Sequence, residues 1–337
     1  MKSTNYIDCM LQFIERPAFV VQNNEIRQVN HAAESCNITV GTRLEIMLPD
    51  GYNAYEAFTE GTLFLDIHTA NNVYHASVEK LGDFDLFVLD LPEGYAELRA
   101  LSLASVWLRA PLTGLINCID DNNHTAKRMI SQIHRTVNNM SDACRYLDNR
   151  KKHMYMQEIS AFVGSVVENA AAKTESIGVA ISFTGLPATL NMLVDEELLE
   201  RAILNMISNS IKSGATQINI RLSQQTKTVS MTVQDNGKGI PSERQEQMFH
   251  AYKRTPSLKD GEAGIGLGMV IIRAAAHAHQ GTVLMEHKAD TGLKITMTLS
   301  IMTSTGMLRS PAMRFDYNGY EDHVLTELSD VLDDLQY

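Results

Sequence analysis

Positive charge is scarce in this 337-residue chain: 29 Lys and Arg stand against 40 Asp and Glu, for a formal net charge of −11. A field of that sign repels phosphate backbones, so general nucleic-acid binding is not expected, although a local basic pocket is compatible with it. No stretch approaches the ~18–20 uninterrupted apolar residues of a membrane-spanning helix. The opening Met1-Lys2-Ser3-Thr4-Asn5-Tyr6, followed by Asp8, lacks the apolar centre of a secretory signal. The four cysteines (Cys9, Cys36, Cys118, Cys144) lie far apart with no CxxC pair. That spacing suits neither a disulfide framework nor a thiolate metal site, and fits reduced thiols in a cytoplasm. Internal repeats and low-complexity tracts are also missing. What is present, 44% hydrophobic and 20% charged residues, suffices for two or three domains with ordinary cores.

Four regions separate by pattern, and together they predict an α+β multidomain chain. Residues 1–90 read as mixed α/β. Ala18–Val21 and Leu86–Leu89 look like short buried strands, Asn23-Asn24 is a turn signal, and Ile26–Val29 is a candidate hairpin partner. Asn30 then opens a helix-like segment. Residues 91–153 carry a 3-4 apolar repeat in two arms. The first runs Leu98, Leu101, Ser105, Leu108, Leu112, Leu115, Ile119; the second runs Ile130, Ile133, Val137, Met140, Cys144, Leu147. Such spacing keeps one seam facing a partner helix, which predicts a helical hairpin. One hairpin buries only a narrow stripe, so a dimeric four-helix bundle suits it better than packing inside a monomer. Residues 154–302 look like an α/β sandwich, with a strong helix at Glu196–Lys212 capped by Asp195 and alternating strands at Gln217–Leu222 and Thr228–Val233. Residues 303–337 form a tail. In its acidic part, Glu321–Tyr337, the residues Val324, Leu328, Val331, Leu332 and Leu335 share one helical face. Either the tail is a solvated helix packed on its own chain, or its apolar stripe docks on a partner or on the third region.

Three short segments in the third region carry chemistry. Asn205 and Asn209 lie four apart, so both amides leave one helical face, and Lys212 joins them. Two neutral oxygen ligands and a cation suit a magnesium-bound polyphosphate; for the segment taken alone, a polar helix face in water is the simpler explanation. Asp235-Asn236-Gly237-Lys238-Gly239-Ile240 follows a strand. Its glycines permit close approach of a flat ligand, and the Asp235 carboxylate can accept from an exocyclic amine, as adenine offers. The alternative there is an ordinary turn between strands. Gly264-Ile265-Gly266-Leu267-Gly268 opens a helix, where backbone N–H groups bind phosphate. It is neither GxGxxG nor GxxxxGK[ST], and no strand precedes it, which argues against a Rossmann or P-loop site; the alternative for the segment alone is a flexible linker. Between the last two segments lies Met248-Phe249-His250-Ala251-Tyr252-Lys253-Arg254, an aromatic pair among basic residues.

The order of these segments resembles the catalytic and ATP-binding domain of sensor histidine kinases, the GHKL type. Asn205–Lys212 resembles the N box, Asp235–Ile240 the G1 box, Phe249–Arg254 the F box and Gly264–Gly268 the G2 box. The resemblance covers about residues 95–302, because the hairpin resembles a dimerisation and histidine-phosphotransfer domain; residues 1–90 resemble a PAS-type sensor domain more faintly. It implies ATP and Mg²⁺ as cofactors. Asn209 would hold the metal, Lys212 reach the phosphates and Asp235 bind adenine. Gly264, Gly266 and Gly268, with Leu267, would form the lid. Arg254 would steady the γ-phosphate, with Tyr252, Gly237 and Gly239 beside the nucleotide. Asn205 stands where ATP-hydrolysing relatives carry a catalytic Glu, and an amide cannot act as general base toward water.

One motif departs from that family. Its H box reads His-Glu-Leu-Arg-Thr-Pro-Leu; here the matching stretch is Val106-Trp107-Leu108-Arg109-Ala110-Pro111-Leu112. Leu108, Arg109, Pro111 and Leu112 hold the register, whereas Val106 replaces the phosphorylated His, Trp107 the acidic residue and Ala110 the residue that assists dephosphorylation. Valine has no lone pair with which to attack a γ-phosphate. Val106 and the chain's single Trp fall on outward helix positions, which suggests a covered surface. Of the other histidines, His134 is expected to be exposed beside the seam. His277 and His279 lie two apart and do not form a metal pair, and Gly281 is the expected cap of their helix. The resulting expectation is a cytoplasmic, homodimeric signalling regulator that binds Mg-ATP without the usual acceptor and meets a response regulator or another signalling protein. The alternatives are an active kinase using a His elsewhere, in cis or on a partner, and an interaction module that does not use ATP.

Overall fold

The computed structural model describes residues 11, 13–14, 16–70, 72–90, 108, 111–112, 114–115, 119, 123–147, 154–239, 268–288, 292–303 and 323–333. These fall into two compact units, one within Met1–Glu93 together with Gln280–Glu286, the other within Gly94–His279 together with His287–Tyr337.

The first unit begins with β1 (Ala18–Gln22) and β2 (Glu25–Val29), a hairpin turned by Asn23 and Asn24. Both turn residues have positive φ, 54° and 61°, the primed geometry that matches strand twist and that Asn tolerates best after Gly. Asn30 then caps α1 (His31–Ser35). Its Oδ1 accepts from Ala33 N at 2.9 Å and from Ala18 N at 3.0 Å, so one side chain starts the helix and ties it to β1. Two short helices, α2 (Leu44–Met47) and α3 (Tyr52–Ala57), precede β3 (Thr62–His68), β4 (Val73–Leu81) and β5 (Phe84–Asp90). The sheet order is β2-β1-β5-β4-β3, antiparallel throughout. Residues Val283–Met285, from a distant part of the chain, add antiparallel to β3. Phe19, Ile26, Leu44, Phe58, Leu63 and Phe87 are buried together beneath the sheet, with the Phe19 and Phe87 rings stacked at 4.8 Å. Each such side chain contributes about 1.5–3 kcal/mol.

In the second unit the described part of the hairpin is led by α4 (His124–Leu147). Ile130 and Val137 of its seam pack on Leu112 and Ile119 of the first arm. The seam residues Leu108, Leu115 and Ile133 are exposed within the single chain. His134 is buried, at 3% exposure, rather than exposed as its position beside the seam suggested. The helix turns this flank inward, where it packs on neighbouring helices.

The sandwich that follows comprises β6 (Tyr155–Glu158), α5 (Ile159–Thr174), β7 (Ala180–Thr184), β8 (Asn191–Val194), α6 (Glu196–Lys212), β9 (Gln217–Gln224), β10 (Thr228–Asp235), α7 (Gly268–Ala278) and β12 (Gly292–Ser300); along the chain β11 (Val283–Lys288), whose Val283–Glu286 belong to the first unit, lies between the last two. Within this unit the strands run in the order β12-β10-β9-β7; β7 is parallel to β9 and the other neighbours are antiparallel. Alternate residues of β9, β10 and β12 (Ile218, Ile220, Val229, Met231, Ile295, Met297) are buried, as the period-2 pattern requires. Asp195 caps α6 through its carboxylate on Leu198 N at 3.2 Å; Glu196 and Glu197 sit in the first turn and Lys212 in the last, each complementing the helix dipole. At the end of α7 the left-handed position is taken by Gln280 (φ 52°), not by Gly281. His279 is fully buried there: its ring nitrogens meet Asp195 N at 3.0 Å and Ala275 O at 2.6 Å, so both are spent on structure. The last described element is α8 (His323–Glu327), followed by turns.

Candidate nucleotide site

One face of α6 organises the site. Arg201, Asn205, Ser208 and Lys212 follow at spacings of four, three and four, and Asn209 lies four after Asn205, so they line that face. Gly268, the first residue of α7, lies against it: a Cβ at that position would fall 3.0 Å from Asn205 Oδ1 and 3.8 Å from Asn209 Nδ2. The last glycine of the Gly-rich segment and the two amides are thus brought together. The backbone N–H groups of the first turn of α7, which have no helical partner, open beside them.

Further along α6, Ser210 and Ser213 meet the Asp-Gly segment. Asp235 is buried, and its carboxylate accepts from Ser210 Oγ at 2.8 Å, Gly237 N at 2.9 Å and Leu293 N at 3.1 Å. A carboxylate offers about four acceptor sites, so capacity remains for one more donor, on Oδ2. Two glycines make this packing feasible. A Cβ on Gly237 would sit 2.1 Å from Ser213 Oγ, and one on Gly292 (φ 83°) would sit 2.1 Å from Asp235 O. Asn236 points the other way, with its Oδ1 accepting from Thr216 N and Gln217 N, both at 2.9 Å. Gly239 adopts a positive φ of 66°.

Four charged residues outside the sequence motifs complete the polar face. Arg135 of α4 reaches Asn205 Oδ1 at 3.2 Å and Ser208 Oγ at 3.3 Å, pairs with Asp330, and lies 3.5 Å from Glu327. Arg201 pairs with Glu327 at 3.0 Å and donates to Asn139 Oδ1 at 2.7 Å. Asn205 Nδ2 donates to Arg201 O at 2.8 Å and lies 3.4 Å from Glu327 Oε2. Lys212 pairs with Asp330 at 2.6 Å. Arg135, Arg201 and Glu327 are all buried, which charged groups tolerate only when paired and hydrogen-bonded. Arg201 was open to sequence reasoning, being one turn before Asn205 on the same face; Arg135, Glu327 and Asp330 left no such local signal.

Residues 323–333, the described part of the tail, pack on the hairpin helix and on helices of the third region. Val324, Leu328 and Leu332 are buried, and the segment contacts α4, α5 and α6. Of the other expected site residues, Val106, Trp107, Arg109 and Ala110, and Tyr252, Arg254, Gly264, Gly266 and Leu267, lie outside the described residues.

Residues 194–302 match the family of histidine kinase-, DNA gyrase B- and HSP90-like ATPases. Sensor histidine kinase YvrG of Bacillus subtilis is 32% identical over 138 residues, 40% of this chain and 24% of that protein. Sensor histidine kinase CpxA of Escherichia coli K12 is 26% identical over 216 residues, 61% of this chain and 47% of that protein. Over these stretches the chain is similar in sequence to sensor histidine kinases. It spans between a quarter and a half of the length of these curated relatives. The fold is shared with full-length ShkA in complex with AMPPNP, at a TM-score of 0.50 and 20% identity, over 61% of this chain and 46% of that one. The chain thus carries a histidine-kinase-type ATPase domain of mixed α/β architecture. Among the described residues, no helix is long and apolar enough to cross a membrane.

Proposed function

We propose that this protein binds Mg-ATP on α6 and acts as a cytoplasmic signalling regulator of the two-component type, without a phosphoacceptor at the usual place. The observation that carries the reading is the convergence of three separated segments on one helix. Asn205, Asn209 and Gly268 meet on its C-terminal half, and Asp235 is held by Ser210, the residue after Asn209. Asp235 has an acceptor position left for the adenine amino group. Asn209, half-buried, offers a neutral oxygen to magnesium, and Lys212 with the α7 N-terminus offers positive charge to the phosphates. Magnesium would neutralise the charge of the β- and γ-phosphates.

At the acceptor position Val106 supplies no nucleophile. The buried His134 does not substitute, because an imidazole at 3% exposure is closed to a γ-phosphate. The exposed seam residues Leu108, Leu115 and Ile133 support a homodimeric bundle, in which a second copy covers them. A response regulator is the partner class that a two-component relative would meet.

Calorimetric titration with Mg-ATP, followed by mass spectrometry of the recovered protein, tests the reading. Heat of binding with no phosphohistidine is the expected outcome. The absence of heat, or an acid-labile phosphate on the chain, overturns it.

A further inference from the structure

Two groups of the proposed nucleotide face, Lys212 and Asn205, together with the neighbouring Arg135 and Arg201, are already engaged by one segment. Asp330 pairs with Lys212 at 2.6 Å and with Arg135; Glu327, 2% exposed, pairs with Arg201 at 3.0 Å and lies 3.4 Å from Asn205 Nδ2. Both carboxylates come from residues 323–333, which are anchored in two further ways. Leu328 and Leu332 are fully buried, and the Ser329 carbonyl accepts from Arg128 Nε and Gln132 Nε2, each at 3.1 Å.

We infer that this segment is an acidic plug of the phosphate subsite, which the polyphosphate of the nucleotide must displace. The inference rests on the Mg-ATP reading above and adds its regulation. Three cations (Arg135, Arg201, Lys212) face two carboxylates. Removing the plug takes from these three buried or half-buried cations the carboxylates they pair with, and a polyanion is a group able to replace them. A nucleotide phosphate chain supplies that charge in the same place, so plug and polyphosphate exclude one another. Adenosine has no phosphate and makes no demand on Lys212 or the arginines; it can enter beside Asp235 with the plug in place. Arg135 belongs to α4 and contacts both carboxylates as well as Asn205. A shift of that helix therefore loosens the plug and alters the phosphate subsite in one movement. This makes nucleotide affinity a readout of the hairpin's position.

The test uses the full-length protein, wild type and the double variant Glu327→Gln/Asp330→Asn, titrated with Mg-AMPPNP and with adenosine. Hydrogen exchange of residues 323–333 is followed in the wild type. The double variant is expected to bind Mg-AMPPNP about tenfold more tightly, because the open form is no longer a minor fraction, while adenosine affinity stays the same. In the wild type, Mg-AMPPNP is expected to speed exchange in residues 323–333, and adenosine is not. Equal Mg-AMPPNP affinities in both forms, with unchanged exchange, overturn the plug and leave the nucleotide reading standing. No heat from Mg-AMPPNP or from adenosine in either form overturns the nucleotide reading itself, and the plug with it. Should the double variant not fold, wild-type exchange decides: faster on Mg-AMPPNP supports the plug, unchanged with nucleotide bound refutes it.

Discussion

Asp235→Asn separates the structural from the recognition role of one carboxylate. In the wild type Oδ1 accepts two backbone N–H groups, from Gly237 and Leu293, and Oδ2 accepts the Ser210 hydroxyl. The two backbone donors require an acceptor, so the amide oxygen of the variant takes the Oδ1 place and the NH₂ falls beside Ser210, whose hydroxyl turns to accept. Every bond is kept but none is charge-assisted, which costs about 1–3 kcal/mol in total. For a unit of this size each kcal/mol lowers the unfolding midpoint by about 2–4 °C. Recognition suffers differently. The one remaining acceptor position, on Oδ2, becomes a donor, so an adenine amino group meets N–H against N–H. Losing a charge-assisted bond of about 1.5–3 kcal/mol weakens binding roughly 10- to 150-fold. Guanine presents an acceptor where adenine presents its amine, so its nucleotides lose less and the purine preference narrows. Thermal unfolding followed by circular dichroism, beside calorimetry with ATP and GTP, measures both effects. A variant with the lowered midpoint but with ATP affinity within about threefold of wild type, a difference under 1 kcal/mol, refutes adenine recognition by Asp235.

Gly292→Ala forces a Cβ to 2.1 Å from Asp235 O at a φ of 83°, so a loss of about 3 kcal/mol and a midpoint lower by about 6–12 °C are expected. Gly178→Ala, at φ 74° with open space around the new methyl, is expected to cost only about 1–2 kcal/mol; differential scanning calorimetry on the pair separates collision from backbone strain. In the first unit, burial and the hydrogen bond to Asp85 push the Tyr55 phenol above its ordinary value near 10, and Tyr52 is pushed up to about 12, chiefly by burial. The folded state therefore holds these protons more tightly than the unfolded one. The stabilisation is complete below pH 10 and is lost as pH rises above it. Urea unfolding of wild type and Tyr55→Phe between pH 8 and about 11 should show a shallower alkaline decline in the variant; parallel curves would contradict the assignment.

Local chemistry made much of the fold legible. The helix Glu196–Lys212 announces itself through Asp195, two acids in its first turn, a lysine in its last and an apolar period between. The pair Asn23-Asn24 likewise signals a turn by tolerating positive φ. The order of the Asn, Asp-Gly and Gly-rich segments pointed to one site because their residue types suit different parts of one ligand class, and the structure places Asn205 beside Gly268 and Ser210 beside Asp235. Local chemistry misled where two residues compete for one role. Gly281 is the better left-handed residue, yet Gln280 takes that position because the helix ends one residue earlier, at the buried His279. His134 misled in the same way, since helical period alone does not say how many faces of a helix are covered.

What the sequence determined by itself is whatever depends on neighbours within a few positions: caps, turns, strand alternation, and the residue types able to hold a purine and its phosphates. What only the tertiary structure decided is which charges meet. Arg135 and Asp330 are 195 positions apart, and Arg201 and Glu327 are 126 apart. A buried charge is stable only with its partner in place, and no local pattern names that partner. The tail's apolar stripe could be read in one dimension; that it carries two carboxylates onto the face of α6 bearing Arg201 and Lys212 follows from packing alone.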